Sequence, residues 1–165
     1  MEKGDVLRLD EINHQIVAYL ARDGRSSFRT IGESVGLSAP AVKRRVDRLV
    51  DAGVIEGFTA VVDPRRLGWT TEAFVELFCE GRTPPAVIST TLSRYLEVVG
   101  AYTITGDPDA LVHLRASDTA HLEATLERIR SEPFIVRTRS VIVLSRLIER
   151  QVPTQREPGP GTGAA

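Results

Sequence analysis

Between Arg22 and Arg48 the chain carries seven basic residues, Arg22, Arg25, Arg29, Lys43, Arg44, Arg45 and Arg48, against Asp23, Glu33 and Asp47. The whole chain has 21 Lys plus Arg against 22 Asp plus Glu, a formal charge of −1. It is therefore no polycation, and any attraction to nucleic acid must be local. Guanidinium groups grip phosphate and bond bidentately to guanine. Other residues invite other chemistry. Asp107 and Asp109 are paired carboxylates, although Gly106-Asp107-Pro108-Asp109 also has the composition of a plain turn. His14, His113 and His121 are scattered, and no HExxH, GxSxG or P-loop pattern occurs. His113 and Arg115 alternate onto one strand face. One cysteine, Cys79, excludes an intramolecular disulfide and a cysteine-rich zinc site. Neither catalytic nor metal-ligating residues are expected.

The basic cluster needs a scaffold, and helical periodicity supplies it. Leu9, Ile12, Ile16, Val17 and Leu20 form one apolar stripe that Asp10 can cap. Ser27 opens a short second helix with Phe28, Ile31 and Val35 inward, and Gly36 stops it. Ser38 caps a third helix, Leu37 and Val42 have the spacing of a hydrophobic staple, and Pro40 lies in the first turn. Val42, Val46, Leu49 and Val50 are read as its inner face, and Gly53 ends it. Val35-Gly36-Leu37-Ser38 is the tight connection of a helix-turn-helix, with Gly32 letting the third helix cross closely over the second. A three-helix bundle without a DNA role fits this spacing equally well. The charges favour DNA, because Arg44 and Arg48 lie opposite the apolar stripe with Pro40 and Ala41 on the same outer side. Ser38, Pro40, Ala41 and Arg44 are then nearest the bases, and Lys43, Arg45 and Arg48 hold phosphates, which position without specifying. Arg45 flanks the core stripe and has a rival role as the partner of an acidic neighbour.

Beyond the third helix the pattern changes. Val54–Val62 alternates and is rich in β-formers, which predicts a linker strand ended by Asp63-Pro64. Strands over 72–80, 98–105, 110–116 and 136–147 then alternate with two helices. One opens at Pro84-Pro85 and carries Val87, Ile88, Leu92, Tyr95 and Leu96; the other is capped by Asp118 and carries Leu122, Leu126 and Ile129. The order β-α-β-β-α-β is the ferredoxin-like arrangement, with both helices on one sheet face. The other face should alternate with polar residues if it met water. Phe74, Phe78, Val141 and Val143 do not fit that pattern, so a sheet-against-sheet subunit interface is expected.

The resulting fold class is α+β: an N-terminal helix-turn-helix (winged-helix-like) domain over 1–54, a linker over 55–70, a C-terminal ferredoxin-like βαββαβ domain over 71–150, and a Pro- and Gly-rich tail over 151–165 that is expected to be disordered. At 165 residues the chain suits one large domain or two small ones. No apolar stretch approaches the roughly 18 residues of a membrane span, and the charged N-terminus shows no secretory signal, so a cytoplasmic protein is expected.

The segments Leu9-Asp10-Glu11-Ile12, Val35-Gly36-Leu37-Ser38, Val46-Asp47-Arg48-Leu49, Gly53–Ala60, Gly106-Asp107-Pro108-Asp109 and Thr138-Arg139-Ser140 resemble, in order and spacing, the leucine-responsive/asparagine-responsive (Lrp/AsnC, feast-famine) regulators. The resemblance spans residue 9 to about 148. It implies a DNA-binding transcriptional regulator that needs no cofactor and responds to a free amino acid. It also implies a homodimer formed through the C-terminal domain that assembles further, commonly to an octamer, with the effector between dimers. The matching effector elements are Gly106, Asp107, Pro108 and Asp109 in the turn, and Ser140, Val141 and Val143 on the last strand. There the turn would supply backbone N–H groups, Asp107 or Asp109 a carboxylate for the ammonium, Ser140 a hydroxyl, and Val141 or Val143 an apolar wall. Ala110, where the family often has an aromatic residue, suggests room for a bulkier effector. Siroheme decarboxylases resemble the same two-domain family, so an enzyme is one alternative; that resemblance implies a basic, histidine-bearing tetrapyrrole site, for which His113 and Arg115 are the sole hint. A ligand-binding module without DNA activity is another alternative.

Overall fold

The computed structural model describes residues 9–148, which divide into two compact units at Val61/Val62, inside the expected linker. The expected disordered tail lies outside the described residues.

Three helices build the first unit: α1 (Glu11–Arg22), α2 (Phe28–Val35) and α3 (Ala39–Asp51). Asp10 caps α1 by accepting from the Asn13 N–H at 2.7 Å, and Ser27 caps α2 through the Thr30 N–H at 3.1 Å. Gly36 ends α2 in the left-handed conformation at φ +69°, which costs a residue without a Cβ little. Ser38 stands at the N-cap of α3, but its hydroxyl makes no capping bond. Pro40 in the first turn removes a donor that lacks an intrahelical acceptor anyway. Ile16, Ile31, Val42, Val46 and Leu49 form the buried core, ringed by Leu9, Ile12, Phe28, Val35 and Leu37. Val50, expected inside, is 42% exposed because the short opposing helices cover only the Val42/Val46/Leu49 stripe.

The linker strand does not form. After α3 the Val54 and Ile55 N–H groups bond back to the Leu49 carbonyl and close the helix. Residues 56–63 then run without a ladder, and Phe58, Val61 and Val62 are exposed. Alternating β-formers need a neighbouring strand to take their backbone bonds, and none accompanies them among the described residues. A 3₁₀ turn over Pro64–Leu67 follows, opened by Asp63 accepting from the Arg65 N–H.

The second unit is a four-stranded antiparallel sheet in the order β2-β3-β1-β4, with β1 Thr71–Cys79, β2 Val98–Thr103, β3 Ala110–Ala116 and β4 Ile135–Ile142. Helices α4 (Pro85–Leu92) and α5 (Thr119–Arg130) cover one face, completing the ferredoxin-like βαββαβ order. The core interleaves Ala73, Val75 and Leu77 of β1 and Val112 and Leu114 of β3 with Ile88 and Leu92 of α4 and Leu122, Leu126 and Ile129 of α5. Three elements are shorter than the periodicity predicts, the first being strand β2, which ends at Thr103. Helix α4 stops at Leu92, so Leu96 lies beyond it at 79% exposure. Strand β4 stops at Ile142, since its register pairs Ile142 with Ala73 and β1 begins only two residues earlier. The ladder runs out of partner, and Leu144 is left exposed.

The uncovered sheet face is mixed rather than apolar. Register places Phe74, Phe78, Leu111, Tyr102 and Val141 there, interleaved with Glu72, Glu76, His113, Arg115, Arg137 and Arg139. The charges pair among themselves: Glu76 with Arg139 at 2.6 Å, and Glu72 with Arg146 at 2.8 Å and with His113. The His113 ring stacks on Phe74 at 4.6 Å, and the Arg137 guanidinium lies 3.8 Å over Phe78.

Candidate nucleic-acid interface and effector site

Helix α3 is held by its apolar stripe, which fixes the outer face. Gly32 sets how closely α2 and α3 approach: a Cβ there would sit 2.3 Å from the Leu37 carbonyl oxygen. The Leu37 N–H bonds back to the Gly32 carbonyl at 2.9 Å, closing the turn. Ser38, Pro40, Lys43, Arg44 and Arg48 are exposed, and Ala41 and Arg45 are half-buried. Leu37, Ala41, Arg44, Arg45 and Arg48 line a shallow concavity of about 350 Å³.

The four cations of α3 differ in what they hold. Lys43 pairs with Asp47 one turn on, at 2.7 Å. Arg45 reaches out of α3 to the start of α1, donating to the Asp10 carboxylate at 2.7 Å and to the Asn13 side-chain oxygen at 2.9 Å. The Arg45 hydrogen bond, joined by the Asn13 N–H, holds the Asp10 carboxyl below its ordinary range. Of the two roles open to Arg45, partner of an acidic neighbour is the one the structure displays. Among the described residues Arg44 and Arg48 meet no acidic side chain, so their guanidinium groups are available to an external anion.

The effector elements are divided between the turn after β2 and the end of β4, with Asp107 close enough to Arg139 to act on its charge. Gly106 takes φ +122° in an exposed turn, and Asp107 is exposed beside it. Asp109 is committed to structure, because its carboxylate accepts from the Cys79 N–H at 2.7 Å and its own N–H bonds the Leu77 carbonyl. The turn therefore extends the β1–β3 ladder. Ser140 pairs with Val75 on the helix side of the sheet, while Val141 pairs with Phe74 on the open side, so strand alternation separates them. Val143 follows the end of β4 with its N–H on the Glu72 carbonyl. Ala110 lies in the helix-covered core at 1% exposure, so its small side chain makes no room for an effector.

Two histidines have structural employment. His113 is engaged by Glu72 and Phe74, which leaves no presented imidazole for a tetrapyrrole. His121 Nδ1 lies 3.3 Å from the Ser117 N–H, and its Nε2 lies 3.0 Å from the Glu97 carboxylate, which also takes the Arg128 guanidinium. Glu97 is 6% exposed. Burial alone would raise its pKa, but the bonds from His121, a backbone N–H and Arg128 override burial and lower it to about 2. Sequence reading passed over Glu97; its signal was an acidic residue set within the apolar run Leu96-Glu97-Val98-Val99. No three His, Cys, Asp or Glu side chains cluster as a metal site among the described residues, and no described helix is long and apolar enough to cross a membrane.

A three-helix unit whose third helix carries arginines unpaired among the described residues, joined in one chain to a ferredoxin-like unit, defines a class of DNA-binding regulator. The AsnC-type helix-turn-helix domain matches residues 9–50, and the Lrp/AsnC ligand-binding domain matches residues 72–153. The chain is 52% identical over 146 residues to the HTH-type transcriptional regulator Rv2324 of Mycobacterium tuberculosis, covering 88% of this chain and 99% of that protein. The feast or famine regulatory protein Rv3291c of M. tuberculosis, solved with L-methionine, superposes with a TM-score of 0.82 at 32% identity, over 88% of this chain and 99% of that one. Escherichia coli AsnC shares the fold, with a TM-score of 0.83 at 23% identity over 87% of this chain and 97% of its own. The chain belongs to the Lrp/AsnC family of DNA-binding transcriptional regulators.

Proposed function

We propose that the protein binds specific duplex DNA sequences as a homodimer and that a free amino acid controls its further assembly, in the manner of an octamer built from dimers, within the cytoplasm. The observation that carries the DNA part is the pair Arg44 and Arg48, unpaired among the described residues and opposite the buried stripe of α3. Ser38, Pro40 and Ala41 at the start of the same helix accompany Arg44 toward the bases. Dimerisation uses the open sheet face, where Phe74, Phe78, Val141 and Tyr102 give apolar area and the flanking ion pairs give register.

The amino-acid part is supported by the L-methionine bound to the Rv3291c relative. With Asp109 holding Cys79, Asp107 is the carboxylate left for the ammonium group, and the open backbone N–H at Gly106 is left for the carboxylate, since Pro108 has no N–H to give. No cofactor takes part. A ligand between dimers can shift assembly only by its differential affinity for the two arrangements. A gel shift with the chain's own upstream region tests the first part, and calorimetry against all twenty amino acids tests the second. Absence of any shifted band removes the DNA reading; absence of any heat at millimolar ligand removes the effector.

A further inference from the structure

The cations of α3 are not equivalent, and their differences specify what the helix reads. Setting Arg44 as the outward direction, Val42 and Val46 lie about 160° to either side of it and Leu49 about 140° away, at 100° per residue. All three are buried, so Arg44 projects along the axis of exposure. Ala41 lies about 60° from Arg44 and Arg48 about 40°, which puts the three on one outer strip. Arg45 lies about 100° round and is bonded to Asp10 and Asn13. Lys43, about 100° round the other way, is neutralised by Asp47.

We infer that α3 reads a thymine–guanine step in each half-site: Arg44 takes the guanine, the Ala41 methyl packs on the neighbouring thymine methyl, Arg48 holds a phosphate, and Arg45 is a positioning residue that does not touch DNA. This rests on the DNA reading proposed above. Arginine facing a major groove has one strongly matched base, guanine, through O6 and N7, while alanine has one, thymine, through its methyl. Three residues of helix advance about 4.5 Å, little more than the roughly 3.4 Å between stacked base pairs, so the two contacts fall on adjacent steps. Arg48, about 6 Å further on, has left the helix N-terminus that enters the groove and meets the backbone instead. Arg45 acts through geometry. It ties the recognition helix to the N-cap of α1, and its charge is already spent on the Asp10 carboxylate.

The test begins with selection of bound duplexes from a random pool by the full-length protein. On an enriched duplex, 7-deazaguanine then removes one N7 at a time, and uracil removes one thymine methyl at a time. Wild-type protein should lose about fivefold or more in affinity at one guanine per half-site and about fourfold at the adjacent thymine. Arg44→Ala should bind weakly and be indifferent to that 7-deazaguanine. Ala41→Gly, and Ala41→Ser as the variant that better preserves the helix, should be indifferent to that uracil. Arg48→Met should lower the slope of log affinity against log salt by about 1, whereas Arg45→Met should weaken binding with the slope unchanged. Enriched sites without a thymine beside the guanine, a guanine effect that survives in Arg44→Ala, or a slope lowered by about 1 in Arg45→Met would each overturn the inference while leaving the DNA reading intact. A pool from which nothing is enriched overturns both.

Discussion

Gly32→Ala is the sharpest probe of the helix-turn-helix geometry, because glycine is usually the poorer helix former. Gly32 is a buried position within α2, where alanine should gain about 1 kcal/mol of helix propensity. The structure argues for the opposite sign. The added Cβ would lie 2.3 Å from the Leu37 carbonyl oxygen, inside the 3.0 Å that real Cβ atoms keep. The obstacle is backbone in the turn, so it cannot rotate away as a side chain would. Overpacking of this kind costs about 1–3 kcal/mol, and contact with backbone puts it at the upper end, for a net loss of about 2 kcal/mol after the propensity gain. Relief requires α3 to move off α2, which also displaces Ala41 and Arg44 from the position proposed to face the groove. Gly36→Ala serves as the control: it meets no atom within 4 Å but must hold φ +69°, at about 1–2 kcal/mol. Urea unfolding of the full chain followed by helical circular dichroism measures stability, and fluorescence anisotropy on a cognate duplex measures affinity under conditions where the variant is folded. The expected result is a lower unfolding midpoint and weaker DNA binding for Gly32→Ala, with Gly36→Ala weakening stability more than affinity of the folded protein. A Gly32→Ala protein as stable as wild type, with unchanged affinity, would refute the close-crossing argument.

The Glu97 carboxylate, lowered to about 2 from an ordinary 4.5, contributes stability that is fully present above pH 4.5 and is lost as pH falls through the window to about 2; the contribution is up to about 3 kcal/mol. Glu97→Gln should flatten the acid-unfolding profile in that window, read by Trp69 fluorescence, since Trp69 lies 6.1 Å from the His121 ring; an unaltered profile would show that Glu97 is not the group responsible. Phe74→Asp, which places an unpaired charge on the open sheet face, should convert the dimer to a monomer in light scattering at micromolar concentration; an unchanged mass would place the interface elsewhere. Asp109→Ala should lower the free energy of unfolding by about 1 kcal/mol through loss of its bond to the Cys79 N–H, while Asp107→Ala should leave stability unchanged and abolish the calorimetric response to amino acid. If the Asp107 variant responds as wild type does, the turn is structural only.

The helical unit was largely legible in sequence because each boundary has a local chemical cause: Asp10 and Ser27 cap, Gly36 terminates, and Gly32 leaves space. The ferredoxin-like order was legible for a similar reason, since period-2 and period-3.6 segments alternate with turns. What was not legible depends on partners distant in sequence. Val54–Val62 has the composition of a strand but has no ladder neighbour among the described residues. Strand β4 ends opposite the start of β1, which only the register reveals. The bond from Cys79 to Asp109 and the Glu97–His121–Arg128 group join residues 24 or more positions apart. Alternation, visible in sequence, already separates Ser140 from Val141.

The central claim is that α3 presents Arg44 and Arg48 to duplex DNA. It is tested most directly by anisotropy titrations of the full-length protein on a duplex from its own upstream region, across about 50 to 200 mM salt. The account predicts log affinity falling linearly with log salt, and a slope lower by about 1 to 2 in the Arg44→Ala/Arg48→Ala double variant, together with lost sequence preference. Binding by that double variant with wild-type slope and preference would contradict it.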